Sequence, residues 1–206
     1  MRLLLITTFL ILFTITGYSQ DVPKDPFDVT PILINSTIPN STVKTVYGEE
    51  ISLLEVVKDK PTVFVFYRGG WCPYCTKHMS ELAQIEDQIL EMGYQIVGIS
   101  VDRPEVLRAT LEEIELKYTL LSDSPADALK GFGIAYQVDQ ATVDRYMNIG
   151  IDLEGNAGYD HHILPAPAVF IVDRDGKVNF QYVNPNYRER ISGEILLAAA
   201  KTFMES

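Results

Sequence analysis

One junction constrains this chain more than any other feature. Residues Thr62 to Tyr67 (TVFVFY) are β-branched or aromatic, without polar alternation, which is the pattern of a strand buried on both faces. Arg68-Gly69-Gly70 and then Trp71-Cys72-Pro73-Tyr74-Cys75 follow at once. From Pro73 onward the apolar residues Met79, Leu82, Ile85, Ile89 and Met92 recur at helical spacing, up to a natural stop at Gly93. A strand buried on both faces needs a covering layer on each side of its sheet, and a strand that feeds a helix supplies one.

The rest of the chain keeps this alternation. Tyr94 to Val101 (YQIVGISV) reads as a second buried strand, Pro104 to Lys117 as a helix with proline at its start, and Tyr118 to Leu121 as a short strand. Glu49 to Val57 reads as a strand and a turn, and Pro125 to Phe132 as a short helix. Residues 133–165 read as an insertion with some helix around Ala141 to Tyr146. Ala168 to Asp173 and Lys177 to Val183 flank Arg174-Asp175-Gly176, a hairpin signal, and Arg188 to Met204 reads as a closing helix. The predicted architecture is α/β, with helices on both faces of one central mixed β-sheet.

The chain has only two cysteines, three positions apart. A disulfide closing so short a loop constrains the unfolded chain by only about 2 kcal/mol. Cys72 and Cys75 therefore make a poor staple and a good redox switch, able to open and close without disturbing the fold. The pair stands where a strand meets a helix, and the unpaired N–H groups and positive dipole end of a first turn favour thiolate over thiol. The alternative use of a C-x-x-C is half of a zinc site, with His78, His161 and His162 as the remaining candidate ligands. The preceding tryptophan and strand favour redox chemistry, and no metal is expected.

The N-terminus reads MRLLLITTFLILFTITGYSQ. Arg2 precedes an apolar run from Leu3 to about Ile15, and Gly17 and Ser19 supply small residues before a cleavage point. This is the layout of a secretory signal peptide over residues 1–19. The run is shorter than the roughly 20 residues that span a bilayer. Residues 20–43, rich in Pro, Asn, Ser and Thr, read as an extended N-terminal segment, and 44–206 as one domain. Export to a periplasm in a Gram-negative source, or secretion otherwise, is the resulting expectation. The formal net charge of −11 argues against nucleic acid or anionic membrane as partners.

Trp71-Cys72-Pro73-Tyr74-Cys75 between strand and helix resembles the redox centre of a thioredoxin-like fold. The longer string from Phe66 to Cys75 is similar to the peroxiredoxin-like branch of the alkyl hydroperoxide reductase / thiol-specific antioxidant family. Leu164 to Gly176 (LPAPAVFIVDRDG) and Val183-Asn184-Pro185-Asn186-Tyr187-Arg188 agree with it. The resemblance runs from about Ile51 to the C-terminus. It implies a thiol peroxidase acting on hydrogen peroxide or organic hydroperoxides, with no cofactor and a thioredoxin-type protein as reductant.

Three positions depart from the better-known members. In their register Cys75 stands at the peroxide-attacking position, Cys72 where a Thr or Ser would be, and Arg68 where a Pro would be. Pro167 stands where those members place an arginine and thioredoxins a cis-proline. Two mechanisms follow. In a peroxidase, Cys75 attacks the peroxide, Cys72 resolves the sulfenic acid as a disulfide, and Arg68 supports the thiolate. In an exported thiol–disulfide oxidoreductase, Cys72 attacks a partner disulfide, Cys75 resolves, and Pro167 shapes the docking groove. Trp71 packs over the pair in either case. Tyr74 is expected to be exposed between the cysteines, His78 to lie on the helix surface, and His161 and His162 in a solvated loop.

Overall fold

The computed structural model describes residues 21–114 and 118–204. The proposed signal peptide, and the end of the helix expected to run to Lys117, lie outside the described residues.

A seven-stranded mixed sheet forms the centre. Its strands are β1 (Thr42–Thr45), β2 (Glu50–Ser52), β3 (Thr62–Phe66), β4 (Gln95–Ser100), β5 (Thr119–Ser122), β8 (Ala168–Val172) and β9 (Val178–Val183), in the spatial order β2-β1-β5-β4-β3-β8-β9. A separate pair, β6 (Ala135–Gln137) and β7 (Ile163–Pro165), runs antiparallel. β3 lies parallel to β4 on one side and antiparallel to β8 on the other, with Phe66 opposite Ile99 and Ala168.

Side-chain alternation along β3 sorts the core into two layers. Phe64 and Phe66 point to one face and pack with Phe132 and Phe170. That layer is closed by α1 (Leu53–Lys58), α5 (Asp127–Gly131), α6 (Gln140–Asn148) and α7 (Leu153–Ala157) through Leu53, Val57, Leu129, Val143 and Leu153. Val63, Val65 and Tyr67 point to the other face. There α2 (Pro73–Ala83), α3 (Glu86–Glu91), α4 (Pro104–Ile114) and α8 (Gly193–Met204) bury Met79, Leu82, Ile89, Leu107, Leu196 and Ala200. Helices thus cover both faces of one mixed sheet, as the strand patterns require.

Several boundaries differ from the sequence reading, each for a local reason. The turn expected after β2 is the helix α1, started by Ser52, whose hydroxyl accepts from the Leu54 N–H at 3.2 Å. The single helix expected over Pro73 to Gly93 breaks at Gln84 and Ile85, whose N–H groups bond three residues back to Glu81 and Leu82. The closing helix begins at Gly193, not Arg188. Asn184 and Asn186 accept the N–H groups of Asn186 and Arg188 at 3.0 and 3.2 Å and hold this stretch as a loop. Residues 133–165 contain the β6–β7 pair as well as helix around residue 141. The extended N-terminal segment is fastened to the domain. The Asn35 N–H donates to the Val178 carbonyl, the Ile38 N–H to that of Gly176, and Ile38 is buried.

Candidate active site

The chain leaves β3 through a tight loop that delivers both cysteines to the start of α2. Gly69 has φ +152, and a Cβ there would lie 2.2 Å from Trp71 Nε1, so the close turn requires glycine. The Gly70 N–H donates to Asp102 Oδ2 at 2.9 Å, and the Cys72 N–H to the Gly69 carbonyl at 3.2 Å. Asp102 is fully buried beneath the loop, and its burial raises its carboxyl pKa to about 7. Cys72 is the residue before the first helical turn, Pro73 is the first helical residue, and Cys75 lies within that turn.

Both cysteines are free thiols and both are buried, each about 1% exposed. Their sulfurs are in hydrogen-bonding contact. The arrangement splits their acidities. The Cys75 thiol, donating to the Cys72 sulfur, is the main cause that lowers Cys72 to about 6; burial opposes it, and the Cys75 backbone N–H, Arg68 and Arg190 add to it. No side-chain bond closes as a formal helix cap, so the backbone contribution is a leaning of that N–H toward the sulfur. Cys75 goes the other way: burial first, then the negative Cys72 sulfur, push its thiol up, against the pull of Arg190. The electrostatics thus favour the charge on Cys72 and the proton on Cys75.

Two arginines flank the pair. Arg68 is 3% exposed. Burial works against its charge, but Tyr136, the Tyr146 hydroxyl at 2.6 Å and the Cys72 sulfur outweigh it and hold the guanidinium protonated. It also stacks on Tyr187 at 4.4 Å, Trp71 at 5.1 Å and Tyr146 at 5.6 Å. Arg190 arrives from the loop before α8 and places Nη2 3.3 Å from the Cys75 sulfur.

Of the residues singled out in the sequence, Cys72, Cys75, Arg68 and Trp71 meet here. Trp71 packs between the two core layers. Tyr74 is 39% exposed and meets Tyr187 edge-on at 5.8 Å. Pro167 is buried just before β8, but its peptide bond is trans, so the likeness to the thioredoxin proline stops at residue type. The flanking N–H of Ala166, bonded to Ile134, and the Pro167 carbonyl, bonded to Asn184, keep this segment extended. His78 is not on the surface: it is buried one turn beyond Cys75, and burial, then Arg190, lower its pKa to about 4. His161 and His162 serve the insertion. His161 bonds the Ser124 carbonyl at 2.7 Å and accepts the Ile163 N–H at 2.9 Å, and His162 meets Glu154. Asp102, Tyr136, Tyr146, Tyr187 and Arg190 were not foreseen. Only Tyr187 lies in a segment that carries the family resemblance.

Known proteins resemble this chain in sequence and fold. The profile of the AhpC/TSA family matches residues 34–181. Chloroplastic peroxiredoxin Q of Gentiana triflora is 29% identical over 161 residues, covering 78% of this chain, and the chain spans 64% of that relative's length. Peroxiredoxin Bcp of Escherichia coli is 28% identical over 106 residues, 52% of this chain and 67% of that protein. Among solved structures, reduced Prx3 of Vibrio vulnificus in complex with H2O2 superposes with a TM-score of 0.68 at 21% identity, covering 82% of this chain and 99% of that one. Peroxidoxin BcpB of Mycobacterium tuberculosis superposes with a TM-score of 0.64 at 20% identity, over 82% and 96%. These likenesses establish the thioredoxin-like fold. Because the matched profile spans well over half of the residues, β3, the dithiol loop and β8 among them, the chain belongs to the AhpC/TSA family.

Proposed function

We propose that this chain is a thiol-dependent peroxidase in which Cys72 attacks the peroxide and Cys75 resolves the product. The observation that carries this reading is the unequal sharing of one proton by two touching sulfurs: Cys72, lowered to about 6, bears the charge, and Cys75 bears the proton. The thiolate is the nucleophilic form of cysteine. Attack on the distal oxygen breaks the O–O bond, oxidises Cys72 to a sulfenic acid and releases water or an alcohol. Cys75 then displaces the hydroxide, leaving a disulfide and a second water. A dithiol reductant of the thioredoxin type reopens the pair by exchange. The relatives named peroxiredoxin support the substrate class, hydrogen peroxide or organic hydroperoxides. Family register favours the reverse order, with Cys75 first, so the order is part of the test.

Exchange with protein disulfides is the second reading, favoured by exposed Tyr74 and half-buried Tyr187, which meet beside the pair. Export through residues 1–19 is likewise proposed, and N-terminal sequencing of protein recovered outside the cytoplasm tests it.

The functional test is consumption of hydrogen peroxide by the reduced protein with a dithiol reductant. The account expects turnover that Cys72→Ser abolishes. Peroxide consumption no faster than that of free cysteine, together with rapid reduction of a protein disulfide, would replace it with the second reading.

A further inference from the structure

Arg190 is held as few surface-loop arginines are. Its Nη1 donates to the carbonyls of Tyr187 at 2.5 Å and Glu189 at 2.7 Å, which pins the guanidinium to its own loop. The next residue, Ile191, is 2% exposed and buried in the layer that contains Cys72, Cys75 and Met79. With both ends of the group fixed, Nη2 is aimed at the Cys75 sulfur, 115 residues away in the chain. The neighbouring His78 faces the Ile191 backbone and Arg190, and is held neutral, so Arg190 is not opposed by a second cation there. The titratable groups that face the Cys75 sulfur are Cys72, Arg190 and Tyr67.

This cation is poorly used in the resting dithiol, because the sulfur it touches is the protonated one. We infer that Arg190 is a catalytic residue of the second chemical step, stabilising the thiolate that forms on Cys75 once Cys72 has been oxidised. The inference rests on the proposed order, Cys72 first. At rest, two of the influences that keep the proton on Cys75 are the negative charge of the Cys72 sulfur and its acceptance of the Cys75 proton. When Cys72 has taken an oxygen from peroxide and become a neutral sulfenic acid, both vanish; burial still favours the thiol, and Arg190 is the cation that opposes it. Cys75 releases its proton and its sulfur attacks that of Cys72. The S–O bond breaks, and the departing hydroxide takes up a proton as water. The same oxidation that completes the first step thus switches on the nucleophile of the second, and Arg190 supplies the positive charge that the switch needs.

The test follows Trp71 fluorescence of the full chain after rapid mixing with hydrogen peroxide, in the parent, Arg190→Gln and Arg190→Lys. Dimedone and mass spectrometry locate the sulfenic acid. The first phase depends on peroxide concentration and the second, disulfide closure, does not. For Arg190→Gln the second phase falls by at least about tenfold, its midpoint pH rises, and the dimedone adduct accumulates on Cys72. The first phase falls by no more than about threefold, since Arg190 acts on Cys72 only at longer range. Arg190→Lys, which keeps the charge, recovers part of the loss and guards against a folding defect in the glutamine variant. An unchanged second phase, or equal slowing of both phases, overturns the inference while leaving the order of attack intact. An adduct found on Cys75 in the parent overturns the order of attack itself.

Discussion

Arg68 donates to the Tyr146 hydroxyl at 2.6 Å, a bond that ties α6 of the insertion to the loop carrying the dithiol. The insertion, which shows only weak periodicity in the sequence, is therefore part of the site. It supplies one wall of the aromatic box around Arg68, with Trp71 and Tyr187 as others. Arg68→Met keeps the bulk and removes the charge. It is expected to slow the peroxide-dependent phase by about twofold at pH 7, by raising the pKa of Cys72 by about one unit. Arg68→Lys retains the charge but not the planar stacking and is expected to lie between the two. Stopped-flow rates at several peroxide concentrations check both.

The Cys75 thiol is the largest influence lowering Cys72 to about 6. Thiolate absorbance at 240 nm should therefore rise through a midpoint near 6 in the reduced parent. In Cys75→Ala the midpoint should move toward the free-thiol value of about 8.5. A midpoint unmoved by that substitution would assign the low value to Arg68 and the helix terminus instead.

Asp102 gives a stability prediction with a definite sign. Its folded pKa, raised by burial to about 7, lies above that of an unfolded aspartate. The folded state therefore holds a proton that the unfolded state has lost. This contribution to stability is fully present below about pH 4 and disappears as pH rises to about 7. Asp102→Asn cannot titrate, so the parent-minus-variant stability should fall with pH by about 1.4 kcal/mol per pH unit near pH 5 to 6, easing to about half that slope at pH 7. Urea denaturation at pH 5, 6 and 7 measures it, and a constant difference would contradict the assignment.

The sequence carries the sheet core and the dithiol because those depend on local pattern. Thr62 to Tyr67 is apolar at every position or nearly so, and Cys72-x-x-Cys75 sits directly on the next helix, so strand, loop and redox pair are adjacent in the chain. The supporting groups are not. Asp102 lies two residues past β4, and no motif in the sequence singles it out. Tyr146 sits in α6, in an insertion of weak periodicity. Arg190 falls within the closing helix that composition predicts, and the asparagine-driven loop of Asn184 and Asn186 displaces that helix start to Gly193. Each reaches the site through a tertiary crossing that no periodicity encodes. His78 shows the opposite limit: its helical position was legible, but the face it occupies was set by α8 and its preceding loop packing over α2.

The order of attack is tested most directly by trapping the first oxidised sulfur. Reduced parent protein is mixed with one equivalent of hydrogen peroxide in the presence of dimedone, alongside Cys72→Ser and Cys75→Ser, and the adduct is located by peptide mass spectrometry. The account predicts a sulfenic acid on Cys72 that accumulates in Cys75→Ser, and peroxide reactivity no better than that of a free thiol in Cys72→Ser. An adduct on Cys75 that accumulates in Cys72→Ser would contradict it and make Cys75 the attacking residue.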